Sequence, residues 1–235
     1  CIDVASTFTT AASITASGTI RTWRHGSPSL QTIIAPSIAQ FPYTTISAGL
    51  HHFLATTSNG DVYSWGANGL HGQLGGGFRE TTERKAPIVI EALQGVKVLG
   101  VSAGDTHSAV VSGDGDVYTF GSASHGELGL AENPDVKPGD DADELNHALP
   151  TPIDLELPPG RVMVACGSRH TVISDGTRLF GCGWNKYDQL NAVGSDLKKE
   201  SCGLIPIELR HLAKPPMDQF TIQAVSCGSW HTVVL

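Results

Sequence analysis

Short apolar runs followed by strict alternation of apolar and polar positions recur along the chain. Phe53-Leu54-Ala55, Ala109-Val110-Val111 and Val172-Ile173 each precede a two-residue turn signal: Asn59-Gly60, Asp114-Gly115 or Asp175-Gly176. After the turn come Asp61-Val62-Tyr63-Ser64-Trp65, Asp116-Val117-Tyr118-Thr119-Phe120 and Thr177-Arg178-Leu179-Phe180, with a period near two. Asn-Gly and Asp-Gly tolerate the positive φ of tight hairpins, so each unit predicts two antiparallel strands.

Ahead of each apolar run stands a small residue, a glycine and, three residues later, a histidine. These are Gly49 and His52, Gly104 and His107, Gly167 and His170, and Gly228 and His231. The histidines are spaced by 55, 63 and 61 residues, a period that predicts a propeller or solenoid rather than one wound domain. Pro87-Ile88-Val89-Ile90-Glu91 follows the first good hairpin and reads as an additional edge strand with proline at its start. Pro152-Ile153-Asp154-Leu155 and Leu204-Ile205-Pro206-Ile207-Glu208-Leu209 repeat that pattern. Hairpins at constant spacing predict an all-β propeller with repeat units near 1–45, 46–100, 101–163, 164–224 and a terminal strand over 225–235, in one domain of 1–235. The first unit is degenerate, with Val4-Ala5-Ser6 in place of the small residue and glycine, Thr9 in the histidine position and Ser17-Gly18 in the turn. The terminal strand is expected to close onto the N-terminal region.

A third segment follows each hairpin: Gly66-Ala67-Asn68-Gly69-Leu70-His71-Gly72-Gln73-Leu74-Gly75, Gly121-Ser122-Ala123-Ser124-His125-Gly126-Glu127-Leu128-Gly129, and Gly183-Trp184-Asn185-Lys186-Tyr187-Asp188-Gln189-Leu190. Together with the small-Gly-x-x-His strand and the hairpin, this resembles the regulator-of-chromosome-condensation repeat family over Val4 to Leu235. The resemblance implies a closed seven-bladed ring. Four to five units cannot supply seven blades, so an incomplete, open arc is expected, with a smaller ring, or completion by a partner or a missing segment, as alternatives. A chain that starts at Cys1 with no initiator Met or leader is expected to be a fragment or a processed chain.

Charge narrows function. The chain carries −8 net charge, and residues 131–160 hold eight carboxylates against Lys137 alone. Asp140, Asp141, Asp143 and Glu144 within that proline-rich insertion are candidate contacts for a basic partner; the alternative is a solvated insertion. A second long connection, 191–224, carries Lys198, Lys199, Arg210 and Lys214, balanced by Asp196, Glu200, Glu208 and Asp218. Nothing in the chain makes a basic footprint for a nucleic-acid backbone, and no apolar run approaches the roughly 20 residues of a membrane helix.

The recurring histidines are expected on different blades, as packing elements whose ring nitrogens bond hairpin carbonyls, rather than as a metal or catalytic cluster. His51-His52, Asp105-x-His107 and His125-Gly126-Glu127 lack a third or fourth ligand at zinc-like spacing. Gly181-Cys182-Gly183-Trp184-Asn185-Lys186 lacks the phosphate-loop spacing, and no nucleophile constellation stands out. No cofactor, metal or side-chain catalysis is expected. The five cysteines include no CxxC pair, and Cys166 and Cys227 align with Ala48 and Ala103 as small buried residues; a reducing, cytoplasmic or nuclear location is expected.

Two functions follow from the resemblance. One is a non-enzymatic scaffold that binds a protein partner through its loops, such as a chromatin- or translation-related complex. The other is guanine-nucleotide exchange on a Ras-like small GTPase. Plant ultraviolet receptors of the family use Gly-Trp-Arg-His-Thr. Here Gly167-Ser168-Arg169-His170-Thr171 and Gly228-Ser229-Trp230-His231-Thr232 stand instead, so no stacked tryptophan cluster is expected.

Overall fold

The computed structural model describes residues 1–27, 31–32, 41–67, 69–77, 83–130, 146–190, 200–207 and 221–235. Four four-stranded antiparallel sheets follow one another, each in sequential strand order. Blade one is β1 (Asp3–Ser6), β2 (Thr10–Ile14), β3 (Ile20–Arg24) and β4 (Gln31–Thr32). Blade two is β5 (Tyr43–Ala48), β6 (His52–Thr57), β7 (Val62–Gly66) and β8 (Arg84–Val89). Blade three is β9 (Val98–Ala103), β10 (His107–Ser112), β11 (Val117–Gly121) and β12 (His147–Pro152). Blade four is β13 (Met163–Cys166), β14 (His170–Ser174), β15 (Leu179–Trp184) and β16 (Glu200–Pro206). β17 (Val225–Cys227) and β18 (Thr232–Val234) pair with each other as a fifth, two-stranded sheet.

The predicted hairpins join the second and third strands of each blade. Their turns rest on Gly18, Gly60, Gly115 and Gly176, with φ of 72°, 96°, 99° and 89°, a left-handed conformation that glycine adopts without a Cβ clash. The second strands β6, β10 and β14 are buried at every position, because blades cover both of their faces. This is why they read as continuous apolar runs. One core cluster lies at each seam. Ile14 and Ile20 meet Ile46, Phe53 and Trp65 between the first two blades, and Leu54 and Val62 meet Val110 and Phe120 at the next. Val111 and Val117 meet Ile173, and Val172 and Leu179 meet Ile222 and Val225.

Four boundaries differ from the sequence reading. The innermost strand of each blade lies largely before the small-Gly pair, so the expected starts at 46, 101 and 164 fall inside β5, β9 and β13. The prolines of the outer strands stand within or at the end of β8, β12 and β16 rather than at the start; these strands pair on one side only, so the missing N–H costs nothing. In blade one Thr7 N bonds Thr10 O as Gly49 N bonds His52 O; Thr10, not Thr9, therefore holds the histidine position. The expected lone terminal strand is a hairpin. Among the described residues its bonds run within residues 221–235 and to blade four, through Ile222 N to Gly176 O, Cys227 Sγ to Ala165 O and Thr232 Oγ1 to Gln189 O, and none reaches the N-terminal region.

Candidate interaction surface

The recurring residues meet at the seams between blades. His52 Nε2 lies 2.9 Å from Ser108 Oγ, His107 Nε2 lies 2.9 Å from Thr171 Oγ1, and His170 Nε2 lies 3.4 Å from Thr232 Oγ1. In each case the partner is the residue after the next blade's histidine. Those hydroxyls donate onward to backbone carbonyls of the third segment: Ser108 to Gln73 O, Thr171 to Glu127 O and Thr232 to Gln189 O, at 2.9, 2.7 and 3.1 Å. A hydroxyl has one proton, so toward the histidine it accepts, and Nε2 carries the ring proton. The ring nitrogen therefore bonds a neighbouring blade's hydroxyl, not a hairpin carbonyl as the sequence reading had it. The Nδ1 atoms of His52, His107 and His170 are buried without a hydrogen-bond partner.

Gly49, Gly104 and Gly167 are required by close approach, not by φ. A Cβ on Gly104 would stand 2.6 Å from Gly167 O, one on Gly167 would stand 2.7 Å from Gly228 O, and one on Gly49 would meet Gly104 O closer still. Each would also strike its own blade's histidine ring. Burial holds His52 and His107 down to about 3 and His170 to about 4, so all three are neutral near pH 7. His231, on the last hairpin, is exposed. The four histidines lie on four different sheets, and no group of three or more His, Cys, Asp or Glu suited to a metal occurs among the described residues. Burial likewise raises the thiols of Cys166, to about 12, Cys227, to about 11, and Cys182, which leaves them protonated and poorly nucleophilic.

The seam between blades three and four departs from its neighbours. Glu127 stands where the others have Gln73 and Gln189. Like those glutamines it accepts from the backbone N–H two residues earlier: His125 N to Glu127 Oε2 is 2.6 Å, against 3.1 and 3.0 Å for His71 and Tyr187. Its Oε1 is buried and unbonded. Burial raises its carboxyl to about 7, against the opposing pull of its hydrogen bonds and of Arg169.

Beside this seam an aromatic and cationic patch opens to solvent, formed by the β13–β14 turn, the end of β15 with the residues after it, and the terminal hairpin. Trp184 and Trp230 meet edge to face at 4.7 Å, and Tyr187 closes the triangle at 5.4 and 6.1 Å. Arg169 lies 5.9 Å from the Trp184 ring centre, with its Nη1 3.2 Å from His125 Nε2. Lys186 Nζ lies 5.8 Å from the Tyr187 ring centre. Tyr187 is 61% and Trp230 44% exposed. The tryptophans meet edge to face rather than stacked, so the expectation about a stacked cluster is not overturned, but the sequence reading did not foresee an aromatic patch here. The tryptophans come from different repeat positions, Trp184 at the end of the third strand and Trp230 in the innermost turn, so no single motif announces them. Near the axis the five innermost turns surround an opening of about 390 Å3, lined by Thr7, Gly49, Gly104, Gly167 and Gly228 among others. Asp140, Asp141, Asp143 and Glu144 lie outside the described residues, as does most of the 191–224 connection.

The regulator of chromosome condensation (RCC1) repeat model matches residues 59–111, 114–174 and 177–235, and a second model of the same repeat matches 43–73 and 98–127. Each long match begins near a hairpin turn and ends in or just beyond the second strand of the next sheet, so one sequence repeat straddles two blades. RCC1 domain-containing protein 1 of Mus musculus is 34% identical over 217 residues, covering 80% of this chain and 54% of the relative. The ultraviolet-B receptor UVR8 of Arabidopsis thaliana is 37% identical over 192 residues, covering 81% and 38%. The chain thus spans about half or less of these relatives' length. Among solved structures, human WBSCR16 superposes with a TM-score of 0.74 at 21% identity, covering 99% of this chain and 58% of that one. Prp20p of Saccharomyces cerevisiae superposes at 0.71 and 20%, covering 99% and 55%. Both are likenesses of fold.

Proposed function

Because the chain belongs to the RCC1 repeat family, we propose that it is a non-enzymatic scaffold that docks a protein partner on the loop surface carrying Arg169, Trp184, Lys186, Tyr187 and Trp230. The observation that carries this reading is the exposed aromatic and cationic patch. Trp, Tyr and Arg are the residues that dominate binding hot spots, and here they sit on rigid sheet ends at little entropic cost. The acidic residues Asp140, Asp141, Asp143 and Glu144 serve as a second contact, toward a basic surface, that speeds encounter. The buried, neutral histidines and protonated thiols supply no nucleophile or acid-base pair.

Partner capture with quantitative mass spectrometry, comparing the chain with its Trp230→Ala/Arg169→Ala variant, tests the proposal. Proteins retained by the former and lost by the latter support it; identical sets overturn it. Guanine-nucleotide exchange is the reading to separate, since the similarly folded Prp20p binds Gsp1p and histones. Accelerated release of mant-GDP from a Ras-like GTPase selects exchange. No helix of the described residues is long and apolar enough to cross a membrane.

A further inference from the structure

Among the described residues, blade one has no segment like the one that fills the other seams. In blades two to four the third segment lies against two sheets at once. In blades two and three its leucine carbonyl accepts from a third-strand hydroxyl of the same blade, Ser64 to Leu74 O at 2.7 Å and Thr119 to Leu128 O at 2.8 Å, whereas blade four has Gly181 at that position. Its preceding carbonyl accepts from the next blade, and Leu74, Leu128 and Leu190 are buried. Between β3 and β4 only residues 25–30 are available, against 67–83 between β7 and β8. The seam between blades one and two accordingly holds a cleft of about 550 Å3, within the roughly 300–1,000 Å3 span of ligand sites.

Its walls are the seam positions themselves. Thr10 replaces histidine, Phe53 replaces the next-blade hydroxyl, and Thr22 occupies the position of Ser64 and Thr119. Thr22 is 6% exposed, and its hydroxyl has no hydrogen-bond partner among the described residues. Phe53 stacks on Trp65 at 5.1 Å and 11° to form an apolar wall, with Trp23 beside it. Arg24, Glu83 and Lys85 line the exposed edge with both signs of charge, and Arg84, buried in the wall, donates from Nη1 to Ser64 Oγ at 2.9 Å.

We propose that this cleft is a peptide-binding site that takes a leucine-bearing turn of a protein partner, seated as Leu74, Leu128 and Leu190 are seated at the other seams. The leucine packs on Phe53, Trp65 and Trp23, and its carbonyl accepts from the Thr22 hydroxyl. The mixed charge of the exposed edge suits a polypeptide backbone with polar flanks better than a small anion. The site lies apart from the loop patch, so loss of one leaves the other testable.

The probe is a capped synthetic peptide of residues 69–77, titrated into the full chain by calorimetry and tryptophan fluorescence. Saturable binding is expected, with hydrogen-exchange protection of residues 20–24 and 52–57. The same peptide carrying Leu74→Asp should not bind. Thr22→Val in the chain should weaken binding about tenfold, the worth of one buried hydrogen bond, and Thr22→Ser should restore it. Should Thr22→Val fail to fold, the two peptides on the unaltered chain still decide. No saturation, equal binding of both peptides, or saturation by inorganic phosphate in place of the peptide overturns the proposal.

Discussion

His107 Nε2 and Thr171 Oγ1 lie 2.9 Å apart, in adjacent blades and 64 residues apart in sequence. The Thr171 hydroxyl donates to Glu127 O at 2.7 Å, so one oxygen joins the second strands of two sheets to the segment between them. Thr171→Val removes it, strands the buried His107 N–H and leaves Glu127 O with only the weak Cys182 Sγ donor at 3.4 Å. The expected loss is about 2–4 kcal/mol, read as a fall in the urea midpoint at unchanged slope. Thr171→Ser should recover most of it, which separates the hydroxyl's role from that of the methyl.

The glycine that opens each second strand is fixed by its neighbour's carbonyl. Gly104→Ala would place a methyl 2.6 Å from Gly167 O and onto the His107 ring. Neither can retreat without opening a seam. A loss of more than about 3 kcal/mol is expected, or failure to fold. Gly100→Ala, where nothing lies within 4 Å of the added carbon, is the control and should change the melting temperature little.

Acid should unfold the chain through these histidines. Their folded-state values, about 3, 3 and 4, lie below the ordinary value near 6.5. From about pH 6.5 down to about 4 the unfolded chain binds protons that the folded chain refuses. Stability therefore falls as pH falls through this window, by roughly 1 kcal/mol per pH unit for each ring. Urea midpoints at pH 7, 6 and 5 check the slope, and a flat profile would contradict it.

How much of this was legible in the sequence depended on whether a signal was local. The hairpin turns at Gly60, Gly115 and Gly176 announced themselves, because a positive φ has few residue solutions. The outermost strands showed through Pro87, Pro152 and Pro206. What joins the blades did not. Pairing His107 with Thr171 requires the angular step between sheets, and the cleft beside Thr22 is visible only once the segment missing from blade one is placed against those of its neighbours. The aromatic patch was missed because Trp184 and Trp230 belong to different repeat positions and meet only in space.

Glu127 gives the opposite pH sign. Its carboxyl is raised from an ordinary value near 4.5 to about 7, so between those values the folded chain holds a proton the unfolded chain has released. Its contribution therefore declines as pH rises. Glu127→Gln reproduces the residue of the neighbouring seams and should stabilise the chain above pH 7 by about 1–3 kcal/mol, with little gain near pH 4.5. Thermal melts of both proteins at pH 4.5 and 8 measure the difference.

The patch prediction is one of binding without unfolding. Tyr187 and Trp230 are largely exposed, so Tyr187→Ala and Trp230→Ala should shift the melting temperature by no more than a few degrees while weakening partner capture at least tenfold. Parallel thermal shift and capture measurements distinguish the two effects.

The carbonyl seated against each inner glycine also governs how the family can vary in size. With Gly49, Gly104 and Gly167 each pressed by a carbonyl of the next sheet, the rotation from sheet to sheet is a property of the pair and not of the ring. Gene segments encoding whole units can therefore be gained or lost with the remaining sheets keeping their mutual orientation, and circumference, rather than the fit of each joint, absorbs the change.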